Sequence, residues 1–124
     1  MDKLQKVLIE GQERISRREG RPYGDPVDWR ELANRCILPD GSHIPESNLI
    51  RWKKGEGHPS RFEYVWSLAD VFGPEIFDAV GIEITPDLAW FFQHRDNPKV
   101  QAVLEQARRA AERNQTQVQG NLAS

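Results

Sequence analysis

Residues 44–72, IPESNLIRWKKGEGHPSRFEYVWSLADVF, decide the fold. At about 100° per residue, Leu49 and Trp52 share one helical stripe, while Ser47, Ile50, Arg51 and Lys54 turn to the opposite, mostly polar side. Pro45 suits the first helical position, where its missing N–H costs nothing, and Gly55 suits the left-handed residue that ends a helix. After that stop, Ser60 and Glu63 have the spacing of a capping box. The helix they introduce carries Phe62, Val65, Ala69 and Phe72 on one stripe, widened by Trp66 and Leu68 and ended by Gly73. A short polar-faced helix is thus backed by a nearly apolar one.

Towards the N-terminus, Leu4, Val7, Leu8, Gly11 and Ile15 recur at helical spacing until Gly20 and Pro22. The other face of this helix holds Arg14, Arg17, Arg18 and Arg21, which read either as a solvated face diluted by Glu13 and Glu19 or as phosphate contacts. A proline- and glycine-containing loop follows. Asp28 then offers an N-cap with Glu31 three residues on, and Trp29, Leu32, Ala33 and Cys36 line an apolar side, with Ala33 small enough for a close helix approach. Residues 37–44, ILPDGSHI, read as a loop whose turn is Pro39, Asp40 and Gly41. Pro74 opens a short helix with Ile76, Phe77 and Val80 apolar, stopped by Gly81.

Five short helices are therefore expected over residues 1–81. Residues 82–113 differ in kind: Thr85 and Pro86 start a helix with Leu88, Trp90, Phe91 and Phe92, and Asn97 and Pro98 start another with Val100, Val103, Leu104, Ala107 and Ala111. Their spacing suits pairing with a second copy, the other use being to cover the aromatic trio within one chain. Residues 114–124 are polar and aperiodic, which predicts a disordered tail.

With 124 residues and a formal charge of −2, the chain suits one compact domain with an extension, and is not a uniformly basic nucleic-acid coat. Residues 1–60 hold 11 Lys/Arg against 10 Asp/Glu, and residues 61–124 hold 6 against 9, so any contact with an anionic partner must come from a local face. The lone Cys36 cannot form an internal disulfide, and reads as a core residue. No apolar run has the length of a membrane span, and none at the start resembles a signal, so a soluble protein of the cytoplasm is expected.

In order along the chain, Leu32 and Ala33, then Ser47, Asn48, Leu49, Arg51, Trp52 and Gly55, then Pro59, Ser60, Leu68, Ala69, Ile76 and Gly81 resemble the Cro/CI-type (XRE-like) helix-turn-helix family over roughly residues 1–81. The resemblance implies an all-α, five-helix, lambda-repressor-like domain. It further implies a sequence-specific DNA-binding transcription regulator whose reading helix enters the major groove by its N-terminal end. Base or phosphate contacts are then expected from Glu46, Ser47, Asn48 and Arg51. One departure is the link at residues 37–44, about six residues longer than the family's usual tight turn. That link, with the C-terminal helical part, is similar in layout to EspR-type regulators, which implies a dimer paired through its C-terminal extension. It also leaves Ser42 and His43 open as phosphate contacts.

On that reading Arg51 matches guanine O6 and N7, Asn48 adenine N6 and N7, Glu46 cytosine N4, and Ile50 a thymine methyl. Ser47 suits a phosphate or a base edge, and Lys53, Lys54, His58 and Arg61 suit phosphates. Glu46 reads equally well as a stabiliser of the helix N-terminus. Expected partners are double-stranded DNA, at an inverted repeat, and a second copy through Trp90, Phe91, Phe92, Val100, Val103, Leu104 and Ala107. When bound, the protein would sit on the nucleoid. Three scattered histidines, no paired cysteines and no phosphate-cradling loop point away from an enzyme, a metal site or a cofactor. The rival expectation is an antitoxin- or adaptor-type module that keeps the fold and turns its face to a protein.

Overall fold

The computed structural model describes residues 1–103, 105–106 and 109–110. It is all-α: α1 (Lys3–Arg18), α2 (Trp29–Arg35), α3 (Glu46–Lys53), α4 (Phe62–Phe72), α5 (Glu75–Ala79) and α6 (Pro86–Gln93), with α7 beginning at residue 98. The chain divides into two compact units, the first over residues 1–84 with α1–α5 and the second from residue 85 with α6 and α7.

In the first unit, α1 is capped by Asp2, whose Oδ1 accepts from the Gln5 amide at 2.7 Å, and it buries Leu4, Leu8, Gly11, Ile15 and Ser16. Gly11 lets α1 pack closely on α4, since a β-carbon there would lie 2.6 Å from Cδ1 of Phe72. Two hydrogen bonds fasten the α1–α2 link. Ser16 Oγ accepts from the Val27 amide at 2.9 Å, and the Gln12 side chain donates to the Val27 carbonyl at 2.8 Å. Val27 is fully buried between them. Asp28 caps α2 as its sequence predicts, accepting from the Glu31 amide at 2.8 Å. The Glu31 carboxylate does not return to the cap but pairs with Arg21 at 3.0 Å and Arg35 at 3.1 Å.

The basic face of α1 is largely engaged within the chain. Arg14 donates to the Phe72 carbonyl, Arg17 lies 3.9 Å from Glu13, and Arg21 joins the Glu31–Arg35 pair. Arg35 also grips both carboxylate oxygens of Glu19 at 2.7 Å, and this hydrogen bonding holds the Glu19 carboxyl below its ordinary value and raises Arg35. Geometry therefore favours the solvated-face reading for this cluster over phosphate contact.

Four local expectations are corrected. The link between α2 and α3 is ordered as a small hairpin: Ile37 and His43 form an antiparallel bridge, and the Leu38 amide donates to the Ser42 carbonyl at 2.7 Å. Its tip is the turn Leu38-Pro39-Asp40-Gly41, closed at 2.9 Å, with Gly41 at φ +87° supplying the left-handed residue of a bulged hairpin. Pro45 is the extended N-cap of α3 and not its first helical residue. The capping box at Ser60 does not form, because the extended residue that opens α4 is Arg61, one position later, and no side chain caps it. Phe62 does not join the core; it is 50% exposed, and Val65, Leu68, Ala69 and Phe72 fill the buried stripe with Ser67.

The core of the unit is completed by Leu32, Ala33, Cys36, Ile44, Leu49, Trp52, Ile76 and Phe77. Burial pushes the Cys36 thiol up to about 12, helped by the charge of Asp70, so this cysteine is a small apolar filler. In the second unit Thr85 caps α6, accepting from the Leu88 amide at 3.2 Å, and Asn97 Oδ1 accepts from the Lys99 amide at 2.9 Å as α7 begins. Phe92 and Val100 are buried, whereas Trp90 is 52% and Val103 48% exposed. Leu104, Ala107 and Ala111, and the tail expected at 114–124, lie outside the described residues.

Candidate nucleic-acid interface

Helix α3 is short, and its placement rests on two anchors. Leu49 is fully buried and Trp52 is 5% exposed, with the indole 6.3 Å from the Tyr64 ring of α4. The exit is fixed as well. Gly55 takes φ +81°, its amide donates to the Trp52 carbonyl at 3.0 Å, and the Glu56 amide donates to the Arg51 carbonyl at 2.9 Å. That pair of bonds is a Schellman closure, which satisfies carbonyls that would otherwise end the helix unpaired. A β-carbon at Gly55 would stand 3.2 Å from Oε1 of Gln5, so the stop also seats α3 against the start of α1.

With the buried edge fixed, the opposite edge is determined by the helical period. Ser47, Arg51 and Lys54 are exposed, and Ile50 beside them is half-buried. Glu46 and Asn48, also half-buried, flank the anchored stripe on either side. Lys53, on the same stripe as Glu46 two turns further along α3, faces α2, with its ammonium 4.9 Å from the centre of the Trp29 ring. Trp29 in turn stacks on Phe72 at 6.4 Å, so Lys53 is held by a cation–π contact on an aromatic platform of α2 and α4. The sequence reading assigned Lys53 to phosphate and Trp29 only to the core; their pairing joins different helices, which no spacing along the chain displays.

The remaining candidates fall in two places. Within the hairpin, Ser42 is already occupied, since both its amide, at 3.0 Å, and its hydroxyl, at 2.5 Å, donate to Asp40 Oδ1. The exposed His43 ring has Nδ1 2.9 Å from the Ile44 carbonyl. A donor role for that nitrogen makes Nε2 of the neutral ring an acceptor, so a phosphate contact there requires the imidazolium. Beyond α3, His58 and Arg61 are exposed in the loop leading to α4. Gly57, missed in the sequence reading, turns this loop at φ +90°, and a β-carbon on it would lie 3.6 Å from Nη2 of Arg51. The second glycine in the Gly-Glu-Gly run was the available signal.

Electrostatically, α3 and its exit differ from the Arg21–Glu31–Arg35–Glu19 network. Among the described residues Arg51, Lys54 and Arg61 form no ion pair, and neither do Lys6, Arg18 and Arg30 elsewhere in the unit. Glu46 lies in the first turn of α3, whose N-cap Pro45 makes no side-chain hydrogen bond, so its carboxylate is placed to favour the positive helix end. Among the described residues no three His, Cys, Asp or Glu side chains gather as metal ligands, and no helix is long and apolar enough to cross a membrane. Comparison of the chain with protein-family models, curated proteins and solved structures finds no match.

Proposed function

We propose that the protein is a sequence-specific DNA-binding transcription regulator, in which residues 1–84 act as a helix-turn-helix unit of the lambda-repressor-like kind and α3 is the reading helix. The observation that carries this reading is the division of α3 itself. Its Leu49/Trp52 edge is buried, while Ser47, Arg51 and Lys54 stand exposed on the other edge with both cations unpaired. An exposed helix held this firmly can present a side chain to a base edge at little further ordering cost.

Arg51 is the base-reading residue in this proposal, with Ser47 and Asn48 beside it towards the helix N-terminus. Lys54, His58 and Arg61 are the phosphate contacts. Arg61 supports the assignment by a local cost: a cation at the N-terminal end of α4 opposes the helix dipole, and no cap bond compensates it. Two copies joined through Trp90, Val103 and the half-buried Phe91 would set two reading helices in successive major grooves, roughly 34 Å apart. Phe92 and Val100 then shape this surface from below, being themselves buried.

Titration of labelled duplex DNA selected for binding tests the reading. Arg51→Ala should weaken binding to the selected site by about 1–3 kcal/mol while leaving the melting curve unchanged. Lys54→Ala should lower affinity for all sequences alike and reduce the salt slope by about one. Binding that is indifferent to salt, or an Arg51→Ala variant that unfolds, would contradict the assignment.

A further inference from the structure

We infer that Lys53 and Trp29 are positioning residues: their cation–π contact sets the rotation of α3 about its own axis, and with it the direction of Arg51, without either side chain meeting DNA. The inference rests on α3 being a reading helix. At the helical period Leu49 lies in the middle of the buried edge, with Trp52 on one flank, Lys53 on the other, and Arg51 nearly opposite Lys53. Each flank meets a different helix. The Trp52 ring lies 6.3 Å from Tyr64 of α4, and the Lys53 ammonium stands 4.9 Å from the centre of the Trp29 ring of α2. Leu49 alone would hold α3 down and leave it free to roll, whereas a restraint on each flank opposes rolling in both directions.

Trp29 is a firm stop because of what it rests on. Its ring stacks on Phe72 at 6.4 Å with an interplanar angle of 20°, and Phe72 is fully buried against Gly11, where α1 leaves no room for a β-carbon. Helices α1, α4, α2 and α3 are thus joined in one line of contacts that ends at Lys53. Among the described residues Lys53 forms no ion pair, so the indole is the partner that holds its ammonium. A phosphate or base met by Arg51 lies on the other side of the helix from that ammonium, which separates Lys53 from its exposed neighbour Lys54. Base reading tolerates errors of only about 10–20° in the direction of the contacting group, so a roll of that size costs specificity before it costs the fold.

The test uses the full chain and two labelled duplexes, one selected by it from random DNA and one unrelated, titrated over a range of salt. Lys53→Met keeps the stem and removes the charge. It should weaken binding to the selected duplex about tenfold, with the unrelated duplex bound as before, the slope of log affinity against log salt unchanged and a cooperative melting transition retained. Lys53→Arg should restore selectivity, because a guanidinium also stacks on an indole. Trp29→Leu should repeat the loss, and the double variant should lose no more than either alone. In the unbound chain the Lys53 ε-methylene protons should be shifted upfield by the indole and lose that shift in Trp29→Leu. An equal loss on both duplexes, with the slope reduced by about one, would make Lys53 a phosphate contact and overturn the inference. Undiminished selectivity in Lys53→Met, or losses that add in the double variant, would overturn it too. A full chain that prefers no duplex would overturn the reading of α3 itself, and the inference with it.

Discussion

Arg51 and Trp52 are neighbours in sequence with opposite duties, and they separate function from folding at the level of one residue. Trp52 is buried against Tyr64, so truncation to Ala leaves a cavity and should cost about 3–5 kcal/mol, seen as a large fall in the urea midpoint. Arg51 is exposed and unpaired, so the same truncation should leave that midpoint in place. Cys36 gives a second residue-scale prediction. Its buried thiol, pushed up to about 12, should resist a thiol reagent at pH 8 in the native protein and react promptly in denaturant. Because the native value lies above the unfolded one, the thiol's contribution to stability is complete below the unfolded pKa and declines as pH rises beyond it. Prompt labelling under native conditions would contradict the packing described for α2 and α4.

Elements were legible in the sequence where the signal was local to one turn of chain. Gly55 and Gly73 ended α3 and α4 as predicted, and Asp28 and Thr85 capped α2 and α6. The failures arose where contacts made only in the folded chain decided the outcome. The hairpin at residues 37–44 depends on backbone hydrogen bonds from Leu38 to Ser42 and from Ile44 to Cys36, which the turn residues alone do not predict. Phe62 looked like core by periodicity, yet it stands at the first turn of α4, where the adjoining rings cover only part of it. The cation–π clamp of Lys53 on Trp29 joins α3 to α2 and has no sequence spacing to betray it. Gly11 carries the prediction at this scale. Alanine would improve helix propensity by about 1 kcal/mol but put a β-carbon 2.6 Å from the buried Phe72 ring, and overpacking of that kind costs about 1–3 kcal/mol. Gly11→Ala should therefore lower the melting temperature; a rise would show that α1 and α4 part more easily than their contact implies.

Across the whole molecule, a net charge of −2 conceals a separation. Arg51, Lys54 and Arg61 stand unpaired on and after α3, while from Phe62 to His94 the sequence contains no Lys or Arg. The sequence showed the mild asymmetry of its halves but not which charges were consumed internally, because the Glu19–Arg35 and Arg21–Glu31 pairs close only when the segment leaving α1 folds back on α2. The Glu19–Arg35 pair ties global stability to pH. Arg35 holds the Glu19 carboxyl below its ordinary value, so the contribution is present above the unfolded carboxylate pKa and is lost as pH falls through the lower native one. Glu19→Gln should flatten the decline in melting temperature on acidification; an unaltered pH profile would show that the pair is too solvated to matter.

The central claim, that α3 is a reading helix, is tested most directly by selecting bound duplexes from random DNA with the full chain and with Arg51→Ala in parallel. The account predicts enrichment of an inverted repeat with half-site centres about one helical turn apart, lost or relaxed at one base pair of each half-site in the variant. Sequences no different from the starting pool, or the same enrichment with Arg51→Ala, would contradict it.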